Sequence, residues 1–230
     1  MQKDRKFTSM DGIKSIYLLI VFMVTIVNMQ AQEKGFLDVP GAKLYYEKEG
    51  NGPVLLMIPG ANGDHFIFNP IREILSKKFT VITYDRRGFS ASELTERQDY
   101  KTRITTDADD AAEIIRFFTD KPAFIFASSS GALVSLQLLI KHPDVVKKLI
   151  AHEPTALKVL PDSKKWIAIN TDIYNVYKST GIDSAMMLFV QKIIPGTKDG
   201  ALMKQGKKNN PNVIYWFEHE LLYYPVYDFN

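Results

Sequence analysis

Phe124-Ile125-Phe126-Ala127-Ser128-Ser129-Ser130-Gly131-Ala132-Leu133 decides how this chain is read. An apolar run with strand character breaks at a Ser/Gly cluster, and a helical pattern starts at once. A strand–turn–helix with a small-x-Ser-x-Gly core holds its central serine in a strained conformation at a sheet end. Such a turn accepts only small residues two before and two after that serine. The requirement picks the register. Ser129 has Ala127 and Gly131 as flanks, whereas Ser128 would have the bulky Phe126 and Ser130 the poorer pair Ser128 and Ala132. Ser129 is therefore the candidate nucleophile. The plainer alternative is a serine-rich helix N-cap, which these residues also suit.

At such a turn the Ser129 Oγ projects beyond the sheet, and the N–H of Ser130 faces a developing oxyanion. A second donor is expected from Pro59-Gly60-Ala61-Asn62-Gly63, at the N–H of Ala61, with Gly60 permitting close approach. The surrounding pattern places both loops. Gly35 to Glu49 reads as a hairpin turning at Pro40-Gly41. Val54 to Ile58 is a continuous apolar run, as expected of a strand buried on both faces. Helical spacing over 68–78 leads into a strand over 79–84. A helix is expected over 107–120, its acidic first turn complementing the dipole. A strand over 123–127, a helix over 132–141 and a strand over 146–151 follow, ahead of Glu153-Pro154.

Strands alternating with helices predict an α/β fold, a mostly parallel sheet wrapped by helices, with ligands beyond the carboxyl ends of the strands. After Thr155 the pattern changes to helical segments at 164–178, 183–193 and 211–223. They carry both tryptophans, Trp166 and Trp216, and Asn210-Pro211 as N-cap and first-turn pair. We read residues 155–230 as a helical lid over the strand ends; the alternative is a small helical subdomain whose aromatics form its own core.

Composition narrows the function. The 230 residues are 46% hydrophobic and 24% charged, which excludes a disordered or low-complexity chain. A net charge of +3 gives no basic field for nucleic acid. No cysteine is present, so there is no disulfide framework, thiol nucleophile or Cys-based zinc site. The four histidines, at 65, 142, 152 and 219, are scattered, and neither a metal nor a cofactor is expected.

Residues 1–31 read as a secretory leader. Lys3, Arg5, Lys6 and Lys14 precede an apolar run over 16–27, and Ala31 offers a cleavage site, though Met29 stands where a second small residue is usual. The run is shorter than the roughly 20 residues of a spanning helix, so export without a stable membrane span is expected. A retained N-terminal anchor is the alternative.

Over about Phe36 to Pro154 the sequence resembles the α/β-hydrolase superfamily. Three elements carry the resemblance in order: Pro59-Gly60-Ala61, then Asp85-Arg86-Arg87-Gly88-Phe89-Ser90-Ala91-Ser92, then the Ser129 turn. The second is similar to the family's Asp-x-Arg-Gly-x-Gly-x-Ser, with Ser90 for the second glycine, and implies structural roles for Asp85 and Arg87. Pro59 stands where many members have His, and Ala127 where Gly is commoner. The resemblance implies residues 32–154 as hydrolase core, 155–230 as the inserted cap, and a small hydrophobic ester or related acyl substrate.

It also implies an acid and a histidine after Ser129 in chain order. Glu153 follows the sixth strand, where some members carry the orienting acid. No histidine occupies the family's position for the base. His142 reads as a helix-end residue, His152 as packed or hydrogen-bonded, His65 as facing the pocket without reaching Ser129, and His219 as solvent-facing. The expectation is an exported serine hydrolase whose C-terminal acid–histidine segment is missing from this chain. The alternative is a non-catalytic hydrolase-fold binding protein or an inactive fragment. The specific substrate and the oligomeric state are open.

Overall fold

Apolar runs bounded by turn residues become the strands, as their β-branched and aromatic content favours. They are β1 (Glu33–Val39), β2 (Ala42–Glu49), β3 (Val54–Ile58), β4 (Thr80–Tyr84), the short β5 (Glu93–Leu94), β6 (Ala123–Ser128) and β7 (Val146–His152). The computed structural model describes residues 32–194 and 210–229, so the expected leader over 1–31 lies outside the described residues. The strands form one sheet in the order β1-β2-β4-β3-β6-β7, with β5 beside β2. The four strands β4, β3, β6 and β7 run parallel, while the β1–β2 hairpin joins β4 antiparallel.

Helices cover both faces. On one side α1 (Asn69–Ser76) and the preceding turn bring Phe68 and Leu75 against Leu55, Met57, Phe124 and Phe126. On the other, α2 (Arg103–Phe118) and α3 (Ser130–Lys141) pack Ile104, Ala108, Ile115, Leu133 and Leu138 on Leu56, Ile58, Ile82 and Ile125. All five residues of β3 are buried, so its unbroken apolar run is explained by cover on both faces.

The expected helix over 107–120 is corrected by the structure. It begins four residues earlier, at Arg103, and its first turn holds no acid. Asp107 and Asp110 therefore do not serve the dipole; they are buried partners of arginines. The pattern misplaces the start because Arg103 looks like a surface residue, yet the fold buries it.

After β7 come α4 (Ser163–Thr180), α5 (Ile182–Ile193) and α6 (Pro211–His219). Asn210 caps α6 as expected, its side chain accepting from the Asn212 N–H at 3.0 Å. Ile173, Ala185, Trp216, Phe217 and Leu221 form an apolar cluster with Phe89 of the β4 turn. Tyr224, by contrast, packs into the sheet's own core. Among the described residues no helix is long and apolar enough to cross a membrane.

Candidate active site

The carboxyl ends of β3, β4 and β6 meet at three loops. The β6 loop is the sharpest. Ser129 has φ 55° and ψ −125°, a left-handed conformation that costs about 1–3 kcal/mol for a non-glycine residue. The conformation is held from both sides: the Ser129 N–H donates to the His152 carbonyl at 3.0 Å, and the Ser129 carbonyl accepts from the Ala132 N–H at 2.9 Å. A Cβ at Gly131 would meet the backbone carbonyls of Ile58 and Pro59, so helix α3 rests directly on the end of β3. The small residue at this position answers to that contact.

Ser130 is the first residue of α3, so its N–H has no intrahelical acceptor and points from a positive dipole end. Its hydroxyl is buried without a hydrogen-bond partner among the described residues. Across from it, Gly60 lies so close to the serine turn that a Cβ there would sit 2.9 Å from both the Ser129 Cβ and the Ser128 carbonyl oxygen. The structure thus brings Ser129, Ser130 and the Gly60–Ala61 peptide together. A cavity of about 60 Å³ opens beside them, lined by Ser129, Ser130, Phe189, Trp216, Glu220 and Leu221 among others. Its walls are mostly apolar. A larger cleft of about 550 Å³, between Val54, Thr80, Lys121 and Lys147, lies at the amino ends of the strands, away from this chemistry.

The Asp85–Ser92 turn supports the site. Asp85 accepts from the His65 N–H at 2.9 Å, from the His65 ring at 2.7 Å and from the Ala91 N–H at 3.1 Å, which ties the β3 loop to the β4 turn. His65 is thereby buried and committed to Asp85. Arg87 is held by Asp110 through two bonds and by Gln98 at 3.0 Å. Ser90, standing for the family's second glycine, keeps a positive φ of 47°. Asn212 of α6 accounts for it: its Oδ1 accepts from the Ser90 N–H at 3.0 Å and its Nδ2 donates to the Ser90 hydroxyl at 2.7 Å.

Arg86 and Glu220, to which the residue pattern gives no role, meet beside these loops. Arg86 is fully buried, and its fork meets the carboxylate of Glu220, itself 0% exposed, at 2.9 and 2.7 Å. The same guanidinium donates to Asp107 at 2.9 Å and to the Gly60 carbonyl at 3.0 Å. Asp107 also accepts from Arg103 at 2.9 Å and from the Tyr224 hydroxyl at 2.6 Å. Burial works to raise the Asp107 carboxyl, but the guanidiniums of Arg103 and Arg86 outweigh it and hold it below its ordinary range. Burial would lower the Arg86 pKa; Glu220 and Asp107 together raise it, so Arg86 stays charged.

His142 ends α3 and reaches Asp109 at 2.7 Å, a surface role. His152 is exposed and lies 3.4 Å from the Ser128 hydroxyl rather than Ser129. His219 is corrected from solvent-facing to half-buried: its ring stacks on Tyr100 at 3.8 Å, and burial lowers its pKa. Glu153 is exposed with φ 49°, one residue beyond the carbonyl that anchors Ser129. Among the described residues no histidine hydrogen-bonds the Ser129 hydroxyl.

A mixed sheet with a serine in a left-handed turn between β6 and α3, faced by a glycine loop after β3, defines a class. Residues 53–179 match the family model described as alpha/beta hydrolase fold, and the chain belongs to that family. The uncharacterized hydrolase YraK of Bacillus subtilis is 43% identical over 127 residues, 55% of this chain and 46% of that protein. The 2-(acetamidomethylene)succinate hydrolase of Mesorhizobium japonicum is 31% identical over 115 residues, 50% of this chain and 40% of the relative. The chain thus spans less than half the length of these curated relatives. The fold is also that of an alpha/beta hydrolase from Sphaerobacter thermophilus, with a TM-score of 0.56 at 23% identity over 85% of this chain and 74% of that one.

Proposed function

We propose that this chain carries the nucleophilic half of an exported serine hydrolase. Ser129 attacks a small, mainly apolar ester or related acyl substrate, and the N–H groups of Ala61 and Ser130 stabilise the oxyanion. The observation that carries the reading is the left-handed Ser129 at the head of α3, a costly conformation of the kind that clusters at functional sites. The apolar cavity beside it favours a hydrophobic acyl or leaving group, and α4–α6 serve as its lid. The basic, apolar and small-residue pattern of residues 1–31 supports export.

A serine hydroxyl needs a base to take its proton and an acid to orient that base. We propose that the base is supplied by residues outside this sequence, with Glu153, one residue beyond the carbonyl that anchors Ser129, as a candidate acid on this chain. The 230-residue chain should therefore turn over an activated ester slowly, and added imidazole, standing in for the base, should raise the rate. A fluorophosphonate should label Ser129 alone, located by peptide mass mapping, and Ser129→Ala should lose both label and imidazole response. Labelling that is absent, or that persists in Ser129→Ala, would favour the non-catalytic binding protein instead.

A further inference from the structure

We propose that Arg86 and Glu220 form a positioning clamp that sets the direction of the Ala61 N–H, coupling the end of helix α6 to the oxyanion site. The inference rests on the serine-hydrolase reading above. Its basis is the geometry of a single peptide unit. The Gly60–Ala61 peptide is trans, as are all the peptide bonds of the described residues, so its C=O and N–H point in opposite directions. Whatever fixes the Gly60 carbonyl therefore fixes the Ala61 N–H.

Two donors fix that carbonyl: the Gly63 N–H at 2.9 Å and Arg86 Nη2 at 3.0 Å. The first is a tight turn within the loop. The second reaches in from outside it and is itself oriented. Arg86 spends its four Nη hydrogens on Glu220 twice, on Asp107 once and on Gly60 once. A planar guanidinium with three of four bonds made to fixed carboxylates has one direction left for the fourth. Glu220 is the part of this arrangement that comes from a distant segment, 134 residues along the chain. Its position follows from α6, whose Trp216 carbonyl accepts the Glu220 N–H at 2.9 Å and whose Asn212 holds the Ser90 turn. Seating α6 thus delivers the carboxylate that aims Arg86. Asp107 alone binds one edge of the guanidinium and leaves it free to swing off Gly60.

The clamp acts on charge developing at the substrate oxygen, so it should matter more for a tetrahedral anion than for a neutral ligand. An alkyl boronic acid separates the two. The Ser129 Oγ adds to boron, the boron becomes tetrahedral and anionic, and the displaced hydroxyl proton goes to solvent. Boron-11 NMR reports the tetrahedral form directly, and an alkyl amide of matching chain length serves as the neutral ligand. We compare the full chain with Glu220→Gln, which keeps a single uncharged acceptor, and with the pair Arg86→Met and Glu220→Leu. The pair fills the space while removing both charges, an exchange that buried ion pairs often tolerate.

The expected result is boronate affinity about tenfold lower in Glu220→Gln, where the clamp is weakened, and about a hundredfold lower in the double variant, the lower end of the range for loss of one oxyanion donor. Amide affinity should fall by less than boronate affinity in both, and the Ala61 amide cross-peak should move further on saturation with boronate in the parent chain than in either variant. If the parent chain forms the tetrahedral adduct and both variants form it equally well, the clamp is refuted while the hydrolase reading stands. Equal losses for boronate and amide would also refute it, since the pair would then only shape the cavity. A parent chain that forms no adduct overturns the hydrolase reading and the clamp with it. Should the double variant fail to fold, the Glu220→Gln comparison decides alone.

Discussion

Gly131 shows how one hydrogen atom in place of a methyl group places the Ser129 turn. The Ser129 conformation requires α3 to begin immediately after β6, and α3 then lies on the carbonyls of Ile58 and Pro59. Those acceptors are backbone and cannot swing aside. Gly131→Ala should therefore push α3 off β3, costing about 1–3 kcal/mol, the range for overpacking a close-packed contact. Chemical denaturation measures that loss, and fluorophosphonate labelling of Ser129 should fall with it. Unchanged stability and labelling would mean the turn has more room than the contact implies.

Between elements, the ties are charged and buried, and Glu47 on β2 is the clearest of them. Its carboxylate takes Lys34 of β1 at 2.7 Å, the Tyr45 hydroxyl at 2.7 Å and Arg72 of α1, while lying 3.5 Å from His65. Burial acts to raise this carboxyl, but the bonds from Lys34, Tyr45 and Arg72 and the charge of His65 bring it down to about 2. A folded-state pKa below the unfolded value near 4.3 adds stability that is complete above the unfolded value and lost as pH falls toward the folded one. Glu47→Gln should then be less stable than the parent by about 2 kcal/mol at pH 7, less than the full shift implies because Lys34 is half-exposed and screened. The gap should narrow between pH 4.5 and pH 2, followed by thermal melts across that range. A difference that stays constant with pH would assign the loss to packing instead.

At the scale of the whole molecule, β7 ends the sheet with no further strand beside it among the described residues. Ile150 on β7 is 61% exposed, and Leu139 and Ile140 of α3 are exposed as well. An open apolar edge is a template for pairing with another chain. The 230-residue chain should therefore self-associate at micromolar concentration, and Ile150→Lys, which places a charge on that edge, should reduce the effect in light scattering. Equal scattering from parent and variant would locate any association elsewhere.

Much of this molecule was legible in its residues because the relevant physics is local. Flank size chose Ser129, an unbroken apolar run marked β3 as covered on both faces, and Asn210-Pro211 marked the start of α6. The buried ionic system is not legible in the residues, although a trace of it is present. Glu220 falls on the same helical stripe as Val213, Trp216, Phe217 and Leu221, and Asp107 on the stripe of Ile104, Ala108 and Ala111, each an acid where an apolar residue is expected. A sequence can show that such a charge is out of place. It cannot supply the partner, since Arg86 meets Glu220 across 134 residues. Fold class and the candidate nucleophile could be read from the residues because they depend on neighbours along the chain. The partners of Arg86 and Glu220 could not be read that way, because a buried charge takes its role from the groups that folding brings to it.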